Sequence, residues 1–186
     1  MKRLILTLAL AVLCLTAAAQ EHISFAGIPV DGALTEFVAR MKDAGFTEFG
    51  SNDTGALLKG KLFGRDCTVI VKATPKSGVV YAVNASFPIR SNWKVCKGDY
   101  LDVQSILNKE YGRPVKIEKF ERPYREGDGL ELHHLNMGLC KWISTYNTPS
   151  GPVTLRILPV IVNNGQVMVS WEDSVNLNLL SSETVQ

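Results

Sequence analysis

Residues 98–114, GDYLDVQSILNKEYGRP, constrain the fold more than any other stretch of the chain. Val103, Ile106, Leu107 and Tyr111 fall at i, i+3, i+4 and i+8, which places one apolar stripe along a helix. Asp99 is an expected N-cap, Asp102 puts negative charge near the positive helix end, and Gly112 with Pro114 stops the helix. An apolar stripe must be covered, and the strand-like segments on either side of this helix are what the chain offers to cover it.

A second helix of the same kind is expected within residues 28–46. Leu34, Phe37, Val38 and Met41 make its stripe, Asp31 is a possible cap, and Gly45 followed by Phe46 has the form of a stop. Alternating residues predict strands at 56–63, 66–73 and 79–87, the last two joined by the turn TPKSG at 74–78. After the 98–114 helix, strands are predicted at 115–121, 130–136, 139–146, 153–162 and 167–171, with Asn164-Gly165 as a hairpin turn. Pro159 predicts an edge strand or a bulge. The tail from Asn176 has no evident partner in the sequence and is expected to fray.

The turns TPKSG and TPSG (148–151) each follow a strand carrying a cysteine, Cys67 or Cys140, and each such strand follows a helix. That shared order predicts an internal duplication. The expected fold is therefore α+β. A helix-plus-three-strand unit occurs twice, forming one antiparallel sheet with two helices packed on one face. Residues 20–186 make a single domain of two similar halves, about 24–88 and 98–173, and about 167 residues suffice for one substantial core.

The start of the chain predicts export. Lys2 and Arg3 precede an apolar run at 4–15, and Ala17, Ala18 and Ala19 supply small residues before Gln20, the pattern of a cleaved signal peptide at 1–19. The run is short for a membrane span. Leu13 stands where lipidation of Cys14 would need a small residue. Lys2 and Arg3 also account for the whole formal charge of +2, so the remaining chain is neutral and has no electrostatic footprint for nucleic acid. A periplasmic or extracellular address follows, with no membrane span.

The arrangement resembles the tandem architecture of the beta-lactamase inhibitor protein. Gly98, Val103, Ile106, Leu107, Gly112 and Pro114 are similar in order to the glycine, helix, glycine-x-proline pattern of the small outer-membrane assembly lipoproteins that share that half-unit. Extra residues before Gly112 and the lack of a lipid-bearing cysteine separate this chain from the assembly role. The Ala-Gln signal junction, Phe87-Pro88, Trp93 and the YGRP landmark at 111–114 resemble a family of secreted proteins of gut Bacteroidetes. That resemblance implies an exported address and carries no activity with it.

No catalytic constellation emerges from the residues. Adjacent His133 and His134 on a strand would point to opposite faces and could not chelate one ion. Cys67, Cys96 and Cys140 are too spread for a metal site, and they allow at most one disulfide; Cys96 with Cys140 is the pairing proposed, although spacing cannot fix it. Cys67 alternates with Val69 and Val71 and reads as a core residue, whereas Cys96 is expected in an accessible connector. Trp93, Tyr100, Tyr124 and Arg125 belong to the types that anchor interfaces, while Trp142 and Trp171 read as core. These observations predict a binding module, without cofactor or catalytic residues, for a protein or glycan partner. The alternative is a cell-envelope enzyme or thiol-dependent factor that uses an unpaired cysteine.

Overall fold

The computed structural model describes residues 21–160 and 162–184, so the expected signal peptide lies outside the described residues. A short hairpin, β1 (Ser24–Phe25) and β2 (Ile28–Pro29), leads into helix α1 (Leu34–Asp43). Then come strands β3 (Thr47–Asn52), β4 (Gly55–Leu62), β5 (Arg65–Ala73) and β6 (Val80–Ser86). Helix α2 (Trp93–Tyr111) is followed by β7 (Val115–Phe120), the short helix α3 (Glu131–Asn136), β8 (Cys140–Thr148), β9 (Gly151–Pro159), β10 (Gly165–Glu172) and α4 (Ser174–Thr184). Apart from the hairpin, all strands join one eight-stranded sheet in the order β3-β4-β5-β6-β10-β9-β8-β7, and every neighbouring pair is antiparallel. Each helix-led half thus contributes a four-stranded meander, and β6 and β10 meet at the centre.

One sheet face makes the core. Leu58, Val69, Val71, Val83, Ala85, Val169, Val153 and Leu155 are completely enclosed, and they form one cluster with Phe37 and Met41 of α1 and with Tyr100, Val103 and Leu107 of α2. The stripe on α2 is laid on that face, and the helix ends at Tyr111 with Gly112 at φ +80°. A buried polar lock fixes α2 to β8. Gln104 Nε2 donates to Ser144 Oγ at 2.7 Å and to Glu118 Oε1 at 2.9 Å, and the Tyr100 and Ser144 hydroxyls are 2.7 Å apart.

Several expectations from sequence are corrected. Helix α2 starts at Trp93 and is capped by Asn92, whose side chain accepts from Val95 N at 3.1 Å. Asp99 sits inside the helix and binds Arg65 (2.7 Å) and Arg90 (2.7 Å), which ties α2 to the β4–β5 turn. Helix α1 has no side-chain cap, since Asp31 receives the Asn176 amide at 3.0 Å instead. The segment expected as a strand at 130–136 is helix α3, its buried Leu132 and Leu135 three residues apart on one helix face. The tail forms α4 because Asp173 Oδ1 accepts from Val175 N and Asn176 N at its start. Pro159 is the last residue of an interior strand, where no further ladder bond is required of its nitrogen. Four strands, rather than the expected three, follow α1, and four follow α2. The turns at 74–78 and 148–151 also occupy different places: the first joins the third and fourth strands of its half, the second joins the second and third.

The start of the described chain is held by acid groups. His22 Nδ1 lies 3.1 Å from Asp173 Oδ2 and His22 Nε2 lies 3.5 Å from Asp31 Oδ2. Partial burial would raise the Asp31 pKa, but the Asn176 amide, the Gly32 N–H, His22 and Arg40 together hold it below its ordinary 3.8. A carboxylate with a lowered folded value stabilises the fold above its unfolded value, and that contribution disappears as pH falls through the folded value. Melting temperature is therefore expected to fall more steeply for the wild type than for Asp31→Asn between about pH 5 and pH 2. Parallel curves would remove Asp31 from the acid response.

Candidate functional site

The same alternation that buries one sheet face presents the other. Register places Thr47, Lys59, Thr68, Ser86, Met168, Arg156, Ile143 and Ile117 in one row across all eight strands. A second row runs Gly50, Leu57, Ile70, Asn84, Ser170, Thr154, Thr145 and Val115. These residues point away from the core because successive strand residues face opposite sides. Leu57 and Ile70 are each 38% exposed at one end of the face, and Ile117 (45%) and Val115 (65%) are exposed at the other. Between the two aliphatic ends lies a polar middle of buried Asn84 and Ser170 and half-buried Thr154 and Thr145, whose side chains make no hydrogen bond among the described residues.

The charges on this face are unequal. Lys61 is paired with Asp66 at 2.7 Å and Lys119 with Glu121 at 2.8 Å, both exposed. Lys59, Lys72, Lys141 and Arg156 have no ion-pair partner among the described residues. Arg156 stands in the middle of the face, between Met168 and Ile143, and its Nε is enclosed without a hydrogen-bond partner. Eight strands at ~4.8 Å spacing and six residues at ~3.4 Å give a face of roughly 34 by 20 Å, close to the ~800 Å² that one partner contributes to an ordinary protein interface.

The residues singled out from sequence lie on the helix side of the sheet. Trp93 is the first residue of α2 and is 7% exposed, with Nε1 donating to Glu126 Oε1 at 2.9 Å. Tyr100 is fully enclosed, so its ring cannot meet a partner. The two rings are brought together by Trp142, whose centroid is 5.7 Å from Trp93 and 5.9 Å from Tyr100, while Lys97 caps Trp142 at 4.5 Å. Tyr124 is exposed with its ring 4.6 Å from buried His134, and Arg125 is exposed beside it. Trp171 is core and donates to the Tyr111 hydroxyl at 3.2 Å. His133 is exposed and His134 buried, so the pair diverges on helix α3 as it would have on a strand.

Among the described residues, Cys67, Cys96 and Cys140 are free thiols and buried, and no Cys96–Cys140 bridge is formed. Cys96 lies inside α2 rather than in a connector, because the helix is capped at Asn92, ahead of the expected cap Asp99. Burial, joined by the charge of Asp66, pushes Cys67 up to about 11. Burial and Asp99 push Cys96 up to about 11, and burial pushes Cys140 up to about 12. Such thiols hold almost no thiolate at neutral pH, the opposite of what a nucleophile requires. Among the described residues, no group of three or more His, Cys, Asp or Glu side chains gathers where a metal ion could sit, and no helix is long and apolar enough to cross a membrane.

None of the open-face residues is among the contact residues expected from the sequence, Trp93, Tyr100, Tyr124 and Arg125. The signal of that face was present in the second parity of the strands, where Leu57, Ile70, Ile117 and Ile143 interrupt an otherwise polar side. No family model, curated protein or solved structure matches the chain.

Proposed function

We propose that this protein is an exported, non-enzymatic binding module whose open sheet face holds a protein partner. The observation that carries the reading is an eight-stranded sheet with its core face occupied by α1 and α2 and its other face bearing exposed aliphatic ends around a polar middle in which Arg156 Nε is enclosed without a partner. Monomers seldom leave so broad a sheet face with exposed aliphatics without a use for it. The basic start, apolar run and alanines of residues 1–19 support export. We further propose that the two halves arose by duplication. Support comes from the helix and four-stranded meander in each and from their meeting at β6 and β10.

Photo-crosslinking in the exporting cell tests the reading. Crosslinkers at Ile70 and Ile117 are expected to capture one common protein, and crosslinkers at Val95 and Leu101, exposed on α2, are expected to miss it. Equal capture from both sides, or none from the open face, sinks the proposal. The thiol-dependent alternative makes a separate claim on Cys67, Cys96 and Cys140. Alkylation of the native protein is expected to be slow at all three and fast only after unfolding, given their burial and raised pKa values. A single thiol that alkylates rapidly in the folded state would favour the alternative.

A further inference from the structure

Resting on the proposal that the open face binds a protein, we infer that its partner is acidic and seats a carboxylate on Arg156. Arg156 is the central cation of the face, its Nε is enclosed with no partner, and half-buried Thr154, in the adjoining row, makes no hydrogen bond of its own. A guanidinium without a partner donates to a carboxylate in two-point contact, and the Thr154 hydroxyl beside it offers a remaining oxygen lone pair a further donor. Lys59 and Lys72 on β4 and β5 and Lys141 on β8, also without ion-pair partners, extend positive charge to either side of Arg156, and Glu172 on the central strand β10 is the acid among them.

The chain outside its first nineteen residues is neutral, so this surplus is local to the face. It is also sparse. Four cations without an ion pair, Lys59, Lys72, Lys141 and Arg156, spread across roughly 34 Å and interspersed with aliphatics and the paired Lys61 and Lys119, do not form the dense basic stripe that a nucleic acid or other polyanion requires. Exposed Ile117 and Val115 at one end and Leu57 and Ile70 at the other supply the apolar contacts of a protein interface.

Panning a displayed library of random dodecapeptides on the exported protein tests this. The expected winners combine Asp or Glu with aliphatic residues and lose binding about tenfold to a hundredfold on Arg156→Gln. They are expected to lose it altogether on Thr154→Trp, which blocks the middle of the face, and to be unaffected by Arg113→Gln, which lies off it. Arg156 makes no ion pair, so Arg156→Gln leaves the fold standing, as circular dichroism would verify. Winners blocked by Thr154→Trp but without acid, and indifferent to Arg156→Gln, overturn the acidic partner and spare the binding face. Winners indifferent to Thr154→Trp, or no enrichment, overturn both. Retention of duplex DNA as tight as that of the best peptide overturns the assignment to protein. A dimer in sedimentation that Thr154→Trp dissolves makes a second copy the occupant and likewise overturns it.

Discussion

Replacing Asp173 with alanine is expected to cost about 3–5 kcal/mol of folding stability, and to free both the beginning and the end of the described chain at once. Its carboxylate is completely enclosed. Oδ2 accepts the Ile23 N–H at 3.0 Å and faces His22 Nδ1 at 3.1 Å, while Oδ1 accepts Val175 N at 3.1 Å and Asn176 N at 3.0 Å. Alanine leaves those donors without an acceptor in a place water does not reach. Loss of the cap also loosens Asn176, whose amide bonds Val30 O, Asp31 Oδ1 and Val80 O and so staples α4 to residues 30–31 and to β6. Asp173→Asn keeps one acceptor for the cap and is expected to fall between the two. Urea denaturation with hydrogen exchange at Ile23 and Asn176 measures both effects, and a loss below about 1 kcal/mol would mean that the enclosed carboxylate is replaceable.

Gly151→Ala is expected to be as damaging, at about 3 kcal/mol or more, for a reason that involves no side-chain contact in the native protein. Gly151 has φ +144°, and a Cβ built there overlaps the Glu172 carbonyl oxygen and comes within 3.1 Å of Ser174 N. Both neighbours are backbone, and Ser174 N is engaged with Ser150 O at 2.9 Å, so neither can withdraw. The turn between β8 and β9 is pressed against the junction of β10 and α4. Gly78→Ala supplies the control. Its φ is +67° but nothing lies within 4 Å of the added carbon, so only the left-handed penalty of about 1–2 kcal/mol is expected. Equal losses at the two glycines would attribute the Gly151 effect to conformation alone and remove close approach from the account.

What could be read from the sequence was whatever repeats along a single element. The stripe on α2, the stop at Gly112 and the alternation of Cys67, Val69 and Val71 all recur in the fold. Elements whose stability comes from elsewhere were illegible. Strand β3 reads TEFGSN, without alternation, and exists because it pairs with β4 through a bulge between Glu48 and Gly50. Helix α4, SVNLNLLSSET, buries only Asn176 and depends on an aspartate that precedes it. The site was less legible than the fold. Aromatic residues attract attention in a sequence, yet Trp93 and Tyr100 are spent on packing around Trp142. The open face is built from moderate residues spread from Thr47 to Ser170, and only the strand order brings Leu57, Arg156 and Ile117 into two rows.

The seam between β6 and β10 has a consequence for how the chain acquires its shape. Strand β6 ends at Ser86, but its partner begins only at Gly165, and the register joins Ala85 to Val169 and Val83 to Trp171. During vectorial emergence of the polypeptide, the first meander must wait with β6 as an unsatisfied edge until nearly the whole remainder has appeared. Contacts so distant in sequence slow folding and prolong the exposure of an aggregation-prone strand. Holdase chaperones are therefore expected to find their longest-lived target in the nascent first half.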